Sequence, residues 1–114
     1  MAKPKIPDTP RGVKHDEGKP RMALLFSDFA MAFEHLGRVS TLGAEKYAPG
    51  DWRHVENGEE RYTSALLRHL LKDMQGEAFD PDMGDEEDIL HLALVAWNAM
   101  AILELRLSAS TSDN

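Results

Sequence analysis

Residues 77–91 read EAFDPDMGDEEDILH, which places Glu77, Asp80, Asp82, Asp85, Glu86, Glu87 and Asp88 within twelve residues, with His91 three further on. Hard divalent cations such as Mg2+ bind where several carboxylate oxygens converge. An ion held in that way can bridge a polyphosphate and activate water for attack at phosphorus. A solvated acidic loop is the plainer reading of each carboxylate taken singly. Polar residues inside apolar patterns strengthen the metal reading. Asp73 falls within an apolar helical arc with His69 at its edge, and Glu77 would share that arc if the helix ran one turn further. Buried carboxylates are costly unless paired or metal-bound. His91 and Asn98 share one stripe of a strongly apolar segment, where a satisfied core histidine and an interhelical hydrogen bond are the structural alternatives.

Two further segments carry cations beside turn residues or aromatics. GAEKYAPGDWR, residues 43–53, holds Lys46, Tyr47, Trp52 and Arg53 around a Pro49-Gly50 break. The aromatics either plug the core or wall in a flat base, in which case the cations face phosphates. HDEGKPR, residues 15–21, sets Lys19 and Arg21 after Gly18 and offers a point charge and a fork to phosphate. It lacks the spacing of a P-loop, and no nucleophile elbow, HExxH or zinc-finger spacing occurs elsewhere.

Three helices are predicted to position these groups. The first spans about 28–42, with Phe29, Ala32, Phe33, Leu36 and Val39 at helical spacing, Ser27 as N-cap and Gly43 as stop. The second spans about 58–75, opened by a capping-box pattern at Asn57 and Glu60 and closed by Gly76. The third spans about 85–107 and is apolar nearly all round, with its acidic start suited to the positive end of the helix dipole. A further helical turn fits 44–47. The expected fold is all-α: a small bundle of three main helices with an ordered N-terminal arm. Residues 1–13 and 108–114 read as flexible tails around a single domain, 14–107. So thin a bundle with so apolar a last helix calls for a homo-oligomer, a dimer or tetramer, to complete the core.

The 114 residues suit one domain with a modest core. A net charge of −7 and a pI near 5.1 argue against a protein that coats nucleic acid. The absence of cysteine excludes disulfides and thiolate chemistry. No signal peptide is visible and no run reads as a membrane span, so a cytoplasmic location is expected.

Taken in order, KHDEGKPRMALL, GAEKYAPGDWR, RYTSALLRHLL, GEAFDPDMG and HLALVAWNA resemble a family of small phage and bacterial dATP/dGTP diphosphohydrolases (MazZ-type), grouped with the MazG-like all-α nucleoside triphosphate pyrophosphohydrolases. The resemblance covers about 13–105. It implies hydrolysis of a purine deoxynucleoside triphosphate, dGTP or dATP, to the monophosphate and pyrophosphate. In phages this can feed 2-aminoadenine synthesis through dGMP. The cofactor it implies is Mg2+ or Mn2+ on acidic side chains.

By motif, Asp16, Lys19 and Arg21 match D-x-G-K-x-R, while Lys46, Tyr47, Trp52 and Arg53 match G-A-x-K-Y with its following Trp. Arg68 and His69 match an Arg-His pair, and Glu77, Asp80 and Asp82 match G-E-x-x-D-x-D/E. His91 and Asn98 match H-L-x-H-A with its following Asn, although Leu94 stands where a second His is common. Extra acidic residues follow Gly84. The E-x-x-E and E-x-x-D pairs of MazG proteins have their nearest counterparts in Asp73–Glu77, at spacing four, and Asp85–Asp88. The expected substrate contacts are Asp16, Lys19, Arg21, Lys46, Tyr47, Trp52, Arg53, Arg68, His69 and Asn98. Glu77, Asp80, Asp88 and His91 are the expected metal ligands, with Asp73 and Glu77 acting on the attacking water. A non-catalytic helical adaptor docking through the third helix, and a regulator that binds nucleotide without turnover, are the alternatives.

Overall fold

The computed structural model describes residues 11–83 and 88–112, and the element order is α1 (Met22–Asp28), α2 (Ala30–Lys46), a 3-10 turn η1 (Asp51–His54), α3 (Gly58–Met74) and α4 (His91–Ser112). The fold is all-α, as the helical period predicts. Asp85, Glu86 and Glu87 of the acidic run, and with Asp85 one half of the Asp85–Asp88 pair, lie outside the described residues.

Several boundaries differ from the sequence reading. The first predicted helix corresponds to α2, and a short helix that was not predicted, α1, precedes it, the two parted where the chain leaves helical geometry at Phe29 (φ −120°, ψ 31°). Ser27 therefore lies inside α1 rather than capping α2. Gly43 does not stop α2: the Tyr47 amide donates to its carbonyl at 3.0 Å, and the helix continues to Lys46. Pro49 follows, which biases Ala48 away from helical geometry and removes a donor. Asn57 adopts a left-handed conformation (φ 56°) and its side chain makes no capping bond. A capping box needs an extended N-cap residue, so the Asn57–Glu60 pattern fails on backbone geometry. The last helix begins at His91 rather than at the acidic run, and it continues through residues assigned to a C-terminal tail.

The end of α3 is the turn that matters most for the site. Gly76 has φ 95°, its amide donates to the Asp73 carbonyl at 3.0 Å, and the Glu77 amide donates to the Lys72 carbonyl at 3.1 Å. These paired bonds form a Schellman motif, which favours glycine because a side chain is strained at positive φ. The turn takes Glu77 off the helical arc. The chain then runs antiparallel to the residues before α4 through a single Phe79–Leu90 bridge, with Asp80 N to Ile89 O and His91 N to Ala78 O both at 2.8 Å.

Helices α3 and α4 form the main packed pair, and α2 crosses α4. Buried Val39, Ile89 and Leu94 form the core, flanked by Leu42, Met83, Ala93 and Trp97. A second cluster joins η1 to the pair. Trp52, Tyr62 and Trp97 meet edge to face at centroid distances of 5.8–6.3 Å, and the Tyr62 hydroxyl donates to the Trp52 carbonyl at 2.6 Å. Burial pushes the Tyr62 hydroxyl above its ordinary pKa, an effect opposed by Arg61. Tyr62→Phe is expected to destabilise the fold by about 1 kcal/mol, the usual net worth of such a bond, as read by urea denaturation.

Contrary to the sequence reading, His91–Thr111 is long and apolar enough to cross a membrane by length and composition, with mean hydropathy 1.4. It also carries Asn98 and packs on α3 and α2, and Arg106 forks onto Glu59 of α3 at 2.7–2.9 Å. Within this chain 17% of that span is buried.

Candidate active site

The Schellman turn and the bridge bring three chemistry-bearing residues to one place. His69 comes from the penultimate turns of α3, Asp80 from the bridged segment and His91 from the first position of α4. One ligand atom from each lies within 4.8 Å of the other two. His91 is buried, at 3% exposure, while His69 and Asp80 are half-buried. The Nδ1 atoms of His69 and His91 are 2.9 Å apart, and His91 Nε2 lies 2.7 Å from Glu77 Oε2.

With both rings neutral, His91 Nε2–H donates to the Glu77 carboxylate, so His91 Nδ1 holds a lone pair and accepts from His69 Nδ1–H. Burial holds the His69 imidazole below its ordinary range. His91 and Arg68 act in the same direction, and Asp80 opposes them. A neutral imidazole is the form that ligates a metal.

The remaining expected residues are distributed around this cluster. Asp73 is half-buried and lies one helical turn beyond His69, on the same side of α3. Asp82 is exposed, and its amide donates to Asp80 Oδ1 at 3.0 Å, which closes a small turn around the Asp80 carboxylate. Asp88 is exposed and outside the group. Buried Asn98 donates to the Leu94 carbonyl of its own helix at 2.7 Å. Arg68 is exposed beside His69.

In the 43–53 segment, Lys46 sits over the Tyr47 ring at 5.4 Å and Arg53 over the Trp52 ring at 4.8 Å. Tyr47 is 69% exposed, whereas Trp52 is half-buried in the aromatic cluster. The two sequence readings thus divide between the two aromatics: Trp52 packs, and Tyr47 faces outward. Asp16, Lys19 and Arg21 lie on the exposed N-terminal segment, where the Lys19 amide closes a turn onto the Asp16 carbonyl at 3.0 Å with Gly18 at φ 81°. Among the described residues, no hydrogen bond or ion pair joins this segment to the His–Asp cluster.

The model of a family described as dATP/dGTP diphosphohydrolase, N-terminal, matches residues 9–114. The chain belongs to the dATP/dGTP diphosphohydrolase family. No curated protein and no solved structure matches it. The match spans each motif that carried the resemblance, from Asp16 to Asn98, and all the residues of the cluster.

One residue of this diphosphohydrolase family member was missed by sequence reasoning. His35, on α2, accepts a hydrogen bond at 3.1 Å from the Leu90 amide, directly before His91. It ties α2 to the bridged segment that carries the cluster. Its spacing one turn before Val39 put it on the buried face, but nothing local names a partner 55 residues away.

Proposed function

We propose that this protein hydrolyses purine deoxynucleoside triphosphates, dGTP or dATP, at the α-phosphorus to give the monophosphate and pyrophosphate, with a divalent cation held by His69, Asp80 and His91. The convergence of these three side chains carries the reading. The two Nδ1 atoms lie 2.9 Å apart, the spacing of adjacent ligands each about 2.1 Å from one ion, and binding there would move the His69 proton from Nδ1 to Nε2 so that both Nδ1 lone pairs are free. Two imidazoles with a carboxylate suit Mn2+ or a similar transition ion better than Mg2+, which prefers an all-oxygen shell. Bound there, the cation would neutralise phosphate charge and make an attacking water more acidic.

The chain's own residues supply the rest. Glu77 holds His91 in the tautomer that leaves Nδ1 free, the role of an orienting carboxylate behind a metal-bound histidine. Asp73, one turn from His69, takes the proton from the attacking water. Lys46 and Arg53 face the phosphates, and the exposed face of Tyr47 stacks on the purine. The reading includes a homo-oligomer in the cytoplasm. It also includes the phage setting that the resemblance implies, in which dGMP from dGTP feeds 2-aminoadenine nucleotide synthesis.

Chromatography of products from the four deoxynucleoside triphosphates and the ribonucleotides tests it. Monophosphate with pyrophosphate from dGTP or dATP is expected, faster with Mn2+ than with equal Mg2+, and abolished by EDTA. Diphosphate with phosphate would overturn attack at the α-phosphorus. No turnover with either ion would overturn the enzymatic reading.

A further inference from the structure

Helix α2 meets the start of α4 through one face, along which His35, Val39 and Ser40 follow one another. Buried Val39 packs in the core with Ile89 and Leu94, and the Ser40 hydroxyl accepts the Trp97 indole N–H at 3.1 Å. Half-buried His35 makes a third contact of a different kind: its Nε2 accepts the Leu90 backbone amide at 3.1 Å. A neutral imidazole that accepts at Nε2 carries its proton on Nδ1. A guanidinium has only donors, so Arg38 Nη1, 3.5 Å from that Nδ1, is a neighbour rather than its hydrogen-bond partner.

The backbone explains why Leu90 takes a partner from another helix. Phe79 and Leu90 face each other across the bridge, and the bonds that close it belong to their neighbours, Asp80 N to Ile89 O and His91 N to Ala78 O. In a pair of that kind each residue's own amide points away from the partner segment. The Leu90 amide therefore lies on the unpaired edge, and half-buried amides need an acceptor. Leu90 also starts α4. Its carbonyl accepts from the Leu94 amide at 3.3 Å, and its apolar side chain offers no cap.

We propose that His35 is a positioning residue. Its bond to the Leu90 amide fixes the first turn of α4 and so sets His91 against Glu77 and His69. His91 follows Leu90 directly, so a slip of that edge moves a ring held at 2.7 Å from Glu77 and 2.9 Å from His69. Metal sites accept ligand displacements of only about 0.2 Å, so a small slip weakens binding. The consequence for metal rests on the function proposed above; the placing of His91 does not.

Single variants separate positioning from bulk stability. His35→Leu removes the acceptor at similar volume, His35→Asn stays polar but stops short of Leu90, and His35→Gln returns an acceptor at about the reach of Nε2. Val39 and Ser40 still hold α2 in each of them. Tyr62→Phe, which loses a bond in the aromatic cluster instead, is the destabilised control. NMR of the metal-free wild type should show His35 with its proton on Nδ1, a Leu90 amide protected from exchange, and a slowly exchanging His91 Nε2–H. His35→Leu and His35→Asn should speed both exchanges, His35→Gln should restore them, and Tyr62→Phe should leave them as in the wild type. The Kd for Mn2+ should rise about tenfold in the leucine and asparagine variants and stay within about twofold in the glutamine variant. An unmoved His91 ring proton in His35→Leu, or an equal change in Tyr62→Phe, would overturn the proposal, as would an unchanged Kd. A wild type that binds no Mn2+ would sink the metal reading, and the His91 ring proton would then decide the positioning by itself.

Discussion

His91→Ala is expected to abolish stabilisation by Mn2+ and to lower turnover by more than about a hundredfold, beyond the ten- to hundredfold that loss of an orienting partner costs. At a metal concentration of about one hundred times Kd the wild type should gain roughly 2.7 kcal/mol of stability, and the variant none. The reason is geometric. His91 is buried at the first position of α4, and its Nδ1 faces His69 while its Nε2 is held by Glu77. No neighbouring carboxylate described in the structure replaces both contacts. Because removing a buried ring also leaves a cavity, His69→Ala, half-exposed on α3, serves as the second variant and should lose the metal response with less effect on the metal-free Tm. Glu77→Gln keeps an acceptor for His91 Nε2–H but no charge, so its metal affinity should fall by only about tenfold. Thermal melts with and without Mn2+, read beside turnover, separate the three. An unchanged Mn2+ response in His91→Ala would remove this cluster as the metal site.

The second large effect is on stability. Ile89→Ala should cost about 2–5 kcal/mol, and Ile89→Val about 0.5–1.5 kcal/mol, in urea denaturation. Ile89 is fully buried and packs with Val39 and Leu94 in a small core. A loss of that size is a large fraction of the roughly 5–15 kcal/mol that holds a domain together. Ile89 also accepts the Asp80 amide in the bridge, and its neighbour Leu90 donates to His35. The alanine variant should therefore bind Mn2+ more weakly even where it remains folded. A cost near that of the valine variant would mean that the core closes elsewhere.

Helix existence was legible because local spacing encodes it: Leu66, Leu70 and Met74 recur at the helical period, and Gly76 supplies the positive φ that ends α3. Helix starts were less legible. The Asn57 pattern looks like a cap, yet its backbone is left-handed, and Ser27 looks like a cap, yet lies within α1. Cap residues act only in one backbone conformation, which neighbouring packing decides.

The candidate site divides along the same line. The helical class, the Gly76 turn, the acidic composition of 77–88 and the motifs that mark the family can all be read along the chain. Those features depend on residue type and short spacing. Folding in three dimensions is what makes His69 meet His91 across 22 residues, turns Glu77 to the back of the His91 ring instead of along the α3 arc, and packs Trp52 while Tyr47 faces outward. Contacts between elements depend on how α3 and α4 cross and on one bridge between Phe79 and Leu90. No periodicity within a single segment encodes that crossing.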